Sequence, residues 1–333
     1  MSIWNNVTLS SIYTLSPTHC GVGQAMGALD LPIARDVITN FPVLPATSLK
    51  GVARDYMNKD SSLEKRTIDR LFGKSLEDAE KDENVENMAA GAIAFTEARL
   101  VAFPIRSLNR PFLHVTCPLI IEQLQRDLRV LGLADFLPEK FKISSPDAGK
   151  IHVTDSSLSG KTLILEDLVY PQESVGLLPS LGELAQKLAK LLPINEDSTR
   201  QRLIKGLVMV PDEDFAYLMQ QATSVRARIK LTGGKTTTPW RDPDTGEQQK
   251  GNLWYEESLP SDCLFISFLG ERRQQKAYQD NRNINEIPNP NPPMEIFKTF
   301  AGCLEVVQLG GNETVGYGLC LWNFRGAEGE QKQ

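Results

Sequence analysis

Residues 6–15, NVTLSSIYTL, carry β-branched and aromatic side chains up to Ser16-Pro17, a pattern that predicts an opening strand. A glycine-rich loop then runs to about residue 46. Beyond it Leu49, Val52, Ala53 and Tyr56 recur at helical spacing, with Thr47 or Ser48 available as a cap. Leu63, Ile68, Leu71 and Phe72 predict a second helix over 62–72, ended by Gly73. Residues 91–105 read as one strand and 118–132 as a helix. Strands are expected at 150–154 and 161–170, and helices at 183–191 and 198–205. The apolar strand LVMV comes next, then a helix opening on Pro211-Asp212-Glu213-Asp214, with acids in the first turn as the helix dipole favours.

The pattern then switches to period two. Val225, Ala227, Ile229 and Leu231 alternate with Arg226, Arg228 and Lys230, which predicts a half-buried strand with a basic solvent face. A polar, Gly/Pro-containing stretch separates it from LWYEE, so the two predict a hairpin over about 224–260 with a mobile tip. A strand CLFISFL follows, then a polar Pro/Asn-rich loop and a helix carrying Ile296, Phe300, Leu304 and Val307 on one face. Its end runs into a glycine loop (Gly310, Gly311, Gly316, Gly318) and a last strand, YGLCLWNF. Strands alternating with helices, with hairpins among them, predict an α+β architecture with antiparallel sheet.

At 333 residues the chain can bury a substantial core, and we expect one domain over 1–326 with insertions and a disordered tail at 327–333. No apolar run is long enough to span a bilayer, and MSIWNNVTLS lacks the basic-then-apolar design of a signal peptide, so a cytoplasmic protein without a membrane partner is expected. Five cysteines without a C-x-x-C pair and three histidines argue against a zinc site and fit a reducing compartment.

Net charge is −6, and the pI is near 5.3. This argues against a protein that grips nucleic acid by global electrostatics. The acid is concentrated, however. EDAEKDENVE at 77–86 holds six acidic residues against one lysine, in a segment (about 75–88) that reads as a mobile loop. Local basic groups remain at Arg35, Lys50, Arg54, Arg226, Arg228, Lys230 and Lys235, so nucleic-acid binding needs a local groove rather than a basic protein.

The densest chemistry lies in residues 17–54, PTHCGVGQAMGALDLPIARDVITNFPVLPATSLKGVAR. It holds His19 beside Gly21-x-Gly23, a lone acid in the apolar frame Leu29-Asp30-Leu31-Pro32-Ile33, and Ser48-Leu49-Lys50-Gly51 at the entry to a basic helix. Glycines allow close backbone approach, and turns rich in free N–H groups suit phosphate. A lone loop aspartate would ordinarily cap a turn. A histidine at a strand end is more often structural, and Arg54 on a helix surface is ordinarily solvated. Tyr255, Glu256 and Glu257 form a Tyr/acid cluster in which alternation sends Tyr255 and Glu257 to one face. No Gly-Lys-Ser/Thr follows the C-terminal glycines, which excludes a Walker A loop.

The order of these pieces resembles the N-terminal signature of RAMP-superfamily proteins, the repeat-associated RNA-binding subunits of CRISPR effectors. Residues 252–260 and the glycine loop at 309–318 echo the family more weakly. The resemblance implies a modified RNA-recognition-motif (ferredoxin-like) palm with insertions and a projecting thumb hairpin. It implies a type III effector backbone subunit that binds guide RNA and cuts the complementary single-stranded target RNA, an endoribonuclease dependent on a divalent metal (Mg or Mn) held by Asp30. The RNA's own 2′-hydroxyl would be the nucleophile, leaving a cyclic phosphate. RNA contacts are implied for His19, Gly21, Gly23, Arg35, Lys50, Arg54, Tyr255, Glu257, Gly310, Gly311, Gly316 and Gly318. The implied partners are copies of the chain stacked head to tail and other Cmr-type subunits, including a polymerase-like large subunit. Where the family has Pro-Gly-Ser-Ser before Leu-Lys-Gly, this chain has Pro45-Ala46-Thr47-Ser48, which alters that loop's geometry. The alternative is a scaffold of the same kind of complex that binds RNA without cutting it.

Overall fold

The computed structural model describes residues 3–325 apart from 24–28, 60–62, 75–89, 138–142, 193–196, 232–245, 247–252, 274–290 and 302–304. The acidic loop, the hairpin tip, most of the Pro/Asn-rich loop and the C-terminal tail therefore lie outside the described residues.

The opening strand β1 (Trp4–Thr14) is buried along its second half and sits in the middle of a large, mostly antiparallel sheet. On one side it pairs with β13 (Leu264–Arg272), which is followed by β4 (Ala98–Arg106), β5 (Phe112–Thr116), β10 (Leu207–Met209), β6 (Ile151–Val153) and β9 (Val175–Leu177). On the other side lie β15 (Leu319–Phe324) and β14 (Val306–Gln308). The short strands β2 (Val43–Leu44) and β3 (Ile93–Phe95) attach to β4 and β13. Among the described strands only β5/β10 and β6/β9 run parallel, and each of these pairs is joined by a connection long enough to cross over.

Seven described helices surround the sheet: α1 (Ala46–Lys59), α2 (Lys65–Phe72), α3 (Pro118–Val130), α4 (Pro179–Ala189), α5 (Asp197–Gly206), α6 (Asp212–Gln221) and α7 (Pro293–Ala301). In α1 the spacing of Leu49, Ala53 and Met57 buries one face completely. The helix begins at Ala46, so Thr47 and Ser48 lie inside its first turn rather than capping it. Phe297 of α7 meets Phe72, Phe95 and Phe324 edge to face at 5.5–6.3 Å, which ties α2 and α7 to both halves of the sheet. Cutting this fully buried ring back to alanine would cost about 3–5 kcal/mol.

Four further sequence expectations need correction. The strand over 91–105 is two strands, β3 and β4. Between them the Thr96 hydroxyl accepts the N–H of Phe268 at 2.8 Å and the Thr96 N–H donates to the Phe268 carbonyl at 2.9 Å, an interruption that periodicity does not reveal. The strand over 161–170 is a hairpin, β7 (Leu163–Leu165) and β8 (Leu168–Tyr170). Glu166 turns it in the left-handed region (φ 53°), its carboxylate held by both arms of the Arg106 guanidinium at 2.6–3.0 Å. Val307 belongs to β14 rather than to the preceding helix, so a strand separates α7 from the glycine loop.

The fourth concerns the hairpin of β11 (Ser224–Ile229) and β12 (Leu253–Ser258), which exists as expected but with the apolar face of β11 exposed rather than buried. Val225, Ile229, Leu253 and Tyr255 are exposed, while Arg228 turns inward to an ion pair with buried Glu256. Alternation fixes which residues share a face. It does not say which face meets the protein.

Candidate functional site

Three segments far apart in sequence meet around the loop that carries Asp30. The first is the chain after β1. Thr18 bridges to Leu259, and His19, at the edge of the core, holds the Glu257 carbonyl with Nδ1 at 2.7 Å. Its other ring nitrogen faces Gly21, where a Cβ would stand 2.5 Å from His19 Nε2, so glycine is required for the ring to lie there. Gly23 has φ +97°, open to solvent.

The second segment is β12. Residues 29–33 run beside it as a short parallel bridge: Leu31 N–H donates to the Tyr255 carbonyl at 3.0 Å and Glu257 N–H to the Leu31 carbonyl at 2.9 Å. Asp30, half-buried, completes this pairing, with its Oδ2 accepting the Tyr255 N–H at 2.7 Å. Tyr255 itself points to solvent. Glu257 does the opposite. Its buried carboxylate accepts from Ile33 N–H (3.0 Å), Arg35 Nη2 (2.5 Å) and the Thr223 hydroxyl (2.7 Å), and Arg35 also donates to the carbonyls of Asn40 and Met219. The family resemblance implied Arg35 and Glu257 as RNA contacts. Here they are committed to each other and lock the loop against β12 and the end of α6.

The third segment is the glycine loop between β14 and β15. Gly311 N–H donates to the His19 carbonyl at 3.0 Å and Gly318 N–H to the Pro17 carbonyl at 2.8 Å. Gly310 (φ +81°) passes so close that a Cβ would stand 2.2 Å from the His19 carbonyl oxygen. At its far end the loop grips the hairpin. Asn312 donates its side-chain amide to Glu256, Arg226 donates to the Tyr317 hydroxyl at 3.2 Å, and Arg228 stacks over the Tyr317 ring at 4.6 Å. Gly316 turns this end in the left-handed region with open space around it. The Asn312, Glu256 and Tyr317 latch has no local sequence signal, because it joins residues more than fifty positions apart.

Lys50 and Arg54 lie on α1, away from these hydrogen bonds. Lys50 is half-buried with its pKa lowered, by burial first and then by the neighbouring charges of Arg54 and Arg272. Arg54 is neutralised by Asp69 at 3.0 Å, and Arg272 donates to the Gly91 carbonyl. A half-buried ammonium crowded by cations is a place where an anion is favourable.

Among the described residues no group of three His, Cys, Asp or Glu side chains could hold a metal. Asp30 offers one carboxylate, with one of its oxygens engaged by Tyr255. That fits only a divalent ion of the Mg type, which takes one or two carboxylates and fills its remaining positions with water and substrate phosphate.

The chain belongs to the RAMP superfamily, which it matches over residues 11–320. Within that class it resembles subunit four of the type III-B Cmr complex. It is 31% identical over 315 residues to the CRISPR system Cmr endoribonuclease Cmr4 of Pyrococcus furiosus, covering 93% of each chain. The crystal structure of oligomeric Cmr4 from Pyrococcus furiosus shares the fold with a TM-score of 0.66 at 22% identity, over 96% of this chain and 99% of that one. A chain of the cryo-EM structure of the type III-B Cmr-beta complex bound to cognate target RNA does so at 0.63 and 20%, over 97% and 98%. No described helix is long and apolar enough to cross a membrane.

Proposed function

We propose that this chain is a repeated backbone subunit of a type III CRISPR effector that binds guide RNA and cuts the complementary target RNA at Asp30. The observation that carries this reading is the convergence of His19–Gly23, Tyr255–Glu257 and Gly310–Gly318 on the Asp30 loop. The Pyrococcus furiosus relative, which is named an endoribonuclease, supports it. We take residues 1–326 as one RAMP-type domain, with an RNA-recognition-like palm in the central sheet and the β11–β12 hairpin as the thumb. The continuous buried cluster from Leu9 to Phe324 supports a single domain.

In this reading Lys50 holds guide phosphate, and the exposed turn at Gly21 and Gly23 lets RNA approach the backbone. The Arg35–Glu257 pair fixes the loop so that Asp30 faces the target strand. Cleavage is internal transfer. The 2′-oxygen attacks the adjacent phosphorus, its proton is lost, and the bond to the 5′-oxygen breaks as that oxygen gains a proton. The products are a 2′,3′-cyclic phosphate and a 5′-hydroxyl. A divalent cation on the free oxygen of Asp30 would supply charge neutralisation for the phosphoryl oxygens. The other subunits, a polymerase-like one among them, complete the assembly.

The Tyr255 N–H on Asp30 also suits a scaffold in which Asp30 only closes the loop. Incubating the assembled protein and guide with labelled matched target, in magnesium or manganese, separates the two readings. Fragments ending in cyclic phosphate are expected, and intact target in both metals would favour the scaffold.

A further inference from the structure

Glu256 stands at a junction of the site. Its backbone pairs with Leu31 of the Asp30 loop on one side and with Arg226 of β11 on the other. Its chain neighbours are Tyr255, whose N–H caps Asp30, and Glu257, which holds Arg35. The Glu256 side chain itself is only 3% exposed. A buried carboxylate without good donors is costly, so whatever holds this one also fixes the strand that carries it.

Two groups reach that carboxylate. Arg228 approaches with Nε at 3.3 Å and Nη2 at 3.5 Å, both long for a charge-assisted bond, and its buried Nε–H makes no aligned hydrogen bond among the described residues. Its guanidinium is given over to the Tyr317 ring, 4.6 Å away. Asn312 of the glycine loop is better placed, with its side-chain amide donating directly to Glu256 Oε1. Asn312 lies in the left-handed region (φ 65°), which asparagine tolerates better than most residues. Its carbonyl accepts the N–H groups of Val315 (3.1 Å) and Tyr317 (3.2 Å), and the preceding Gly311 N–H donates to the His19 carbonyl at 3.0 Å. The backbone on both sides of Asn312 is therefore pinned, and its amide is aimed at Glu256 from a fixed base.

We propose that Asn312 is a positioning residue for target cleavage: its amide holds the Glu256 carboxylate and so fixes the stretch of β12 that presents the Tyr255 N–H to Asp30. This rests on the reading above that Asp30 acts on the target strand, and it extends the machinery of that site to a side chain of the glycine loop. Asn312 works through Glu256 and the strand, and makes no hydrogen bond to Asp30 itself.

The test is single-turnover cleavage of guide-matched target by the assembled protein, titrated so that the rate at saturation and the half-saturating concentration are read separately. Asn312→Gly removes the amide and leaves the left-handed turn free of strain. Its rate at saturation is expected to fall about tenfold, the scale of a small displacement at the reacting group, with half-saturation unchanged. Asn312→Asp sets a second carboxylate against Glu256 and should fall further. Combining Asn312→Asp with Glu256→Gln reverses the direction of the hydrogen bond and keeps one carboxylate beside Arg228, so most of the lost rate should return. Phe297→Leu, which loosens the core under α2 and α7, lowers thermal stability without touching this network and should cleave normally. An unchanged rate at saturation in Asn312→Gly overturns the proposal, as does a double variant no faster than Asn312→Asp alone. An equal loss in Phe297→Leu also overturns it, by showing that the rate follows stability and not the amide. If assemblies with and without Asp30→Ala cut target equally, the reading beneath the proposal fails, a result distinct from all of these.

Discussion

Arg35 and Glu257, 222 positions apart, share a 2.5 Å ion pair between side chains only 16% and 5% exposed. The pair lies between the loop that carries Asp30 and the strand whose Tyr255 N–H caps Asp30, so it sets where that carboxylate points. Removing one member leaves the other buried and uncompensated, which typically costs 3–5 kcal/mol, or about that. Arg35→Ala should lower the denaturant midpoint accordingly. Arg35→Lys should recover only part, because an ammonium cannot reach Glu257, Asn40 and Met219 together as the guanidinium fork does.

The glycine loop gives a graded prediction. Gly316 and Gly310 have the same φ of +81°, but Gly316 has open space around it, and a Cβ on Gly310 would meet the His19 carbonyl at 2.2 Å. Gly316→Ala should cost about 1–2 kcal/mol, the penalty of a left-handed alanine. Gly310→Ala should cost clearly more, since backbone must shift. Thermal unfolding of the two variants side by side checks the order, and equal shifts would contradict the close packing.

Acid should destabilise the protein before its carboxylates titrate. His114 is fully buried on β5, with Nε2 against the Asp262 carbonyl at 3.1 Å and Nδ1 without a partner among the described residues. Desolvation pushes its pKa down from 6.5 to about 4. The unfolded chain therefore binds the proton first. Stability is full above pH 6.5 and falls as pH drops towards 4, by on the order of 3 kcal/mol. His152, also depressed by burial, adds a smaller slope of the same sign. Urea midpoints from pH 7 to 4 should show the slope, and His114→Phe should flatten most of it.

Much of this architecture is legible in the chain. The amphipathic faces of α1 and α2 declare themselves by period, because each buries one apolar face, and the opening strand, buried on both faces from Thr8 to Thr14, declares itself by its β-branched and aromatic side chains. The motif around His19, Asp30 and Lys50 is local and stands out as well. What escapes is set by distant partners. The inward turn of Arg228 depends on Glu256 and Tyr317, and the burial of Glu257 depends on Arg35 and Thr223. The break at Thr96 depends on Phe268. No periodicity encodes such pairings, so Arg35 looks like a free surface cation until the fold brings Glu257 to it.

Lys50 is placed to carry one phosphate contact. Lys50→Ala should weaken guide RNA binding across sequences and reduce the slope of log affinity against log salt by about one. Arg54→Ala should do less to RNA binding, because its charge is already matched by Asp69. Filter binding of the assembled protein over a salt series measures both.

The central claim is that Asp30 acts on the target strand. The direct measurement is cleavage of labelled, guide-matched RNA by complexes assembled with Asp30→Ala, alongside target binding in the same preparation. Tyr255 N–H loses its side-chain acceptor in this variant, but the Leu31 pairings to Tyr255 and Glu257 remain to hold the loop. The account predicts cleavage reduced by at least a hundredfold with target binding retained. Undiminished cleavage by that variant would contradict it.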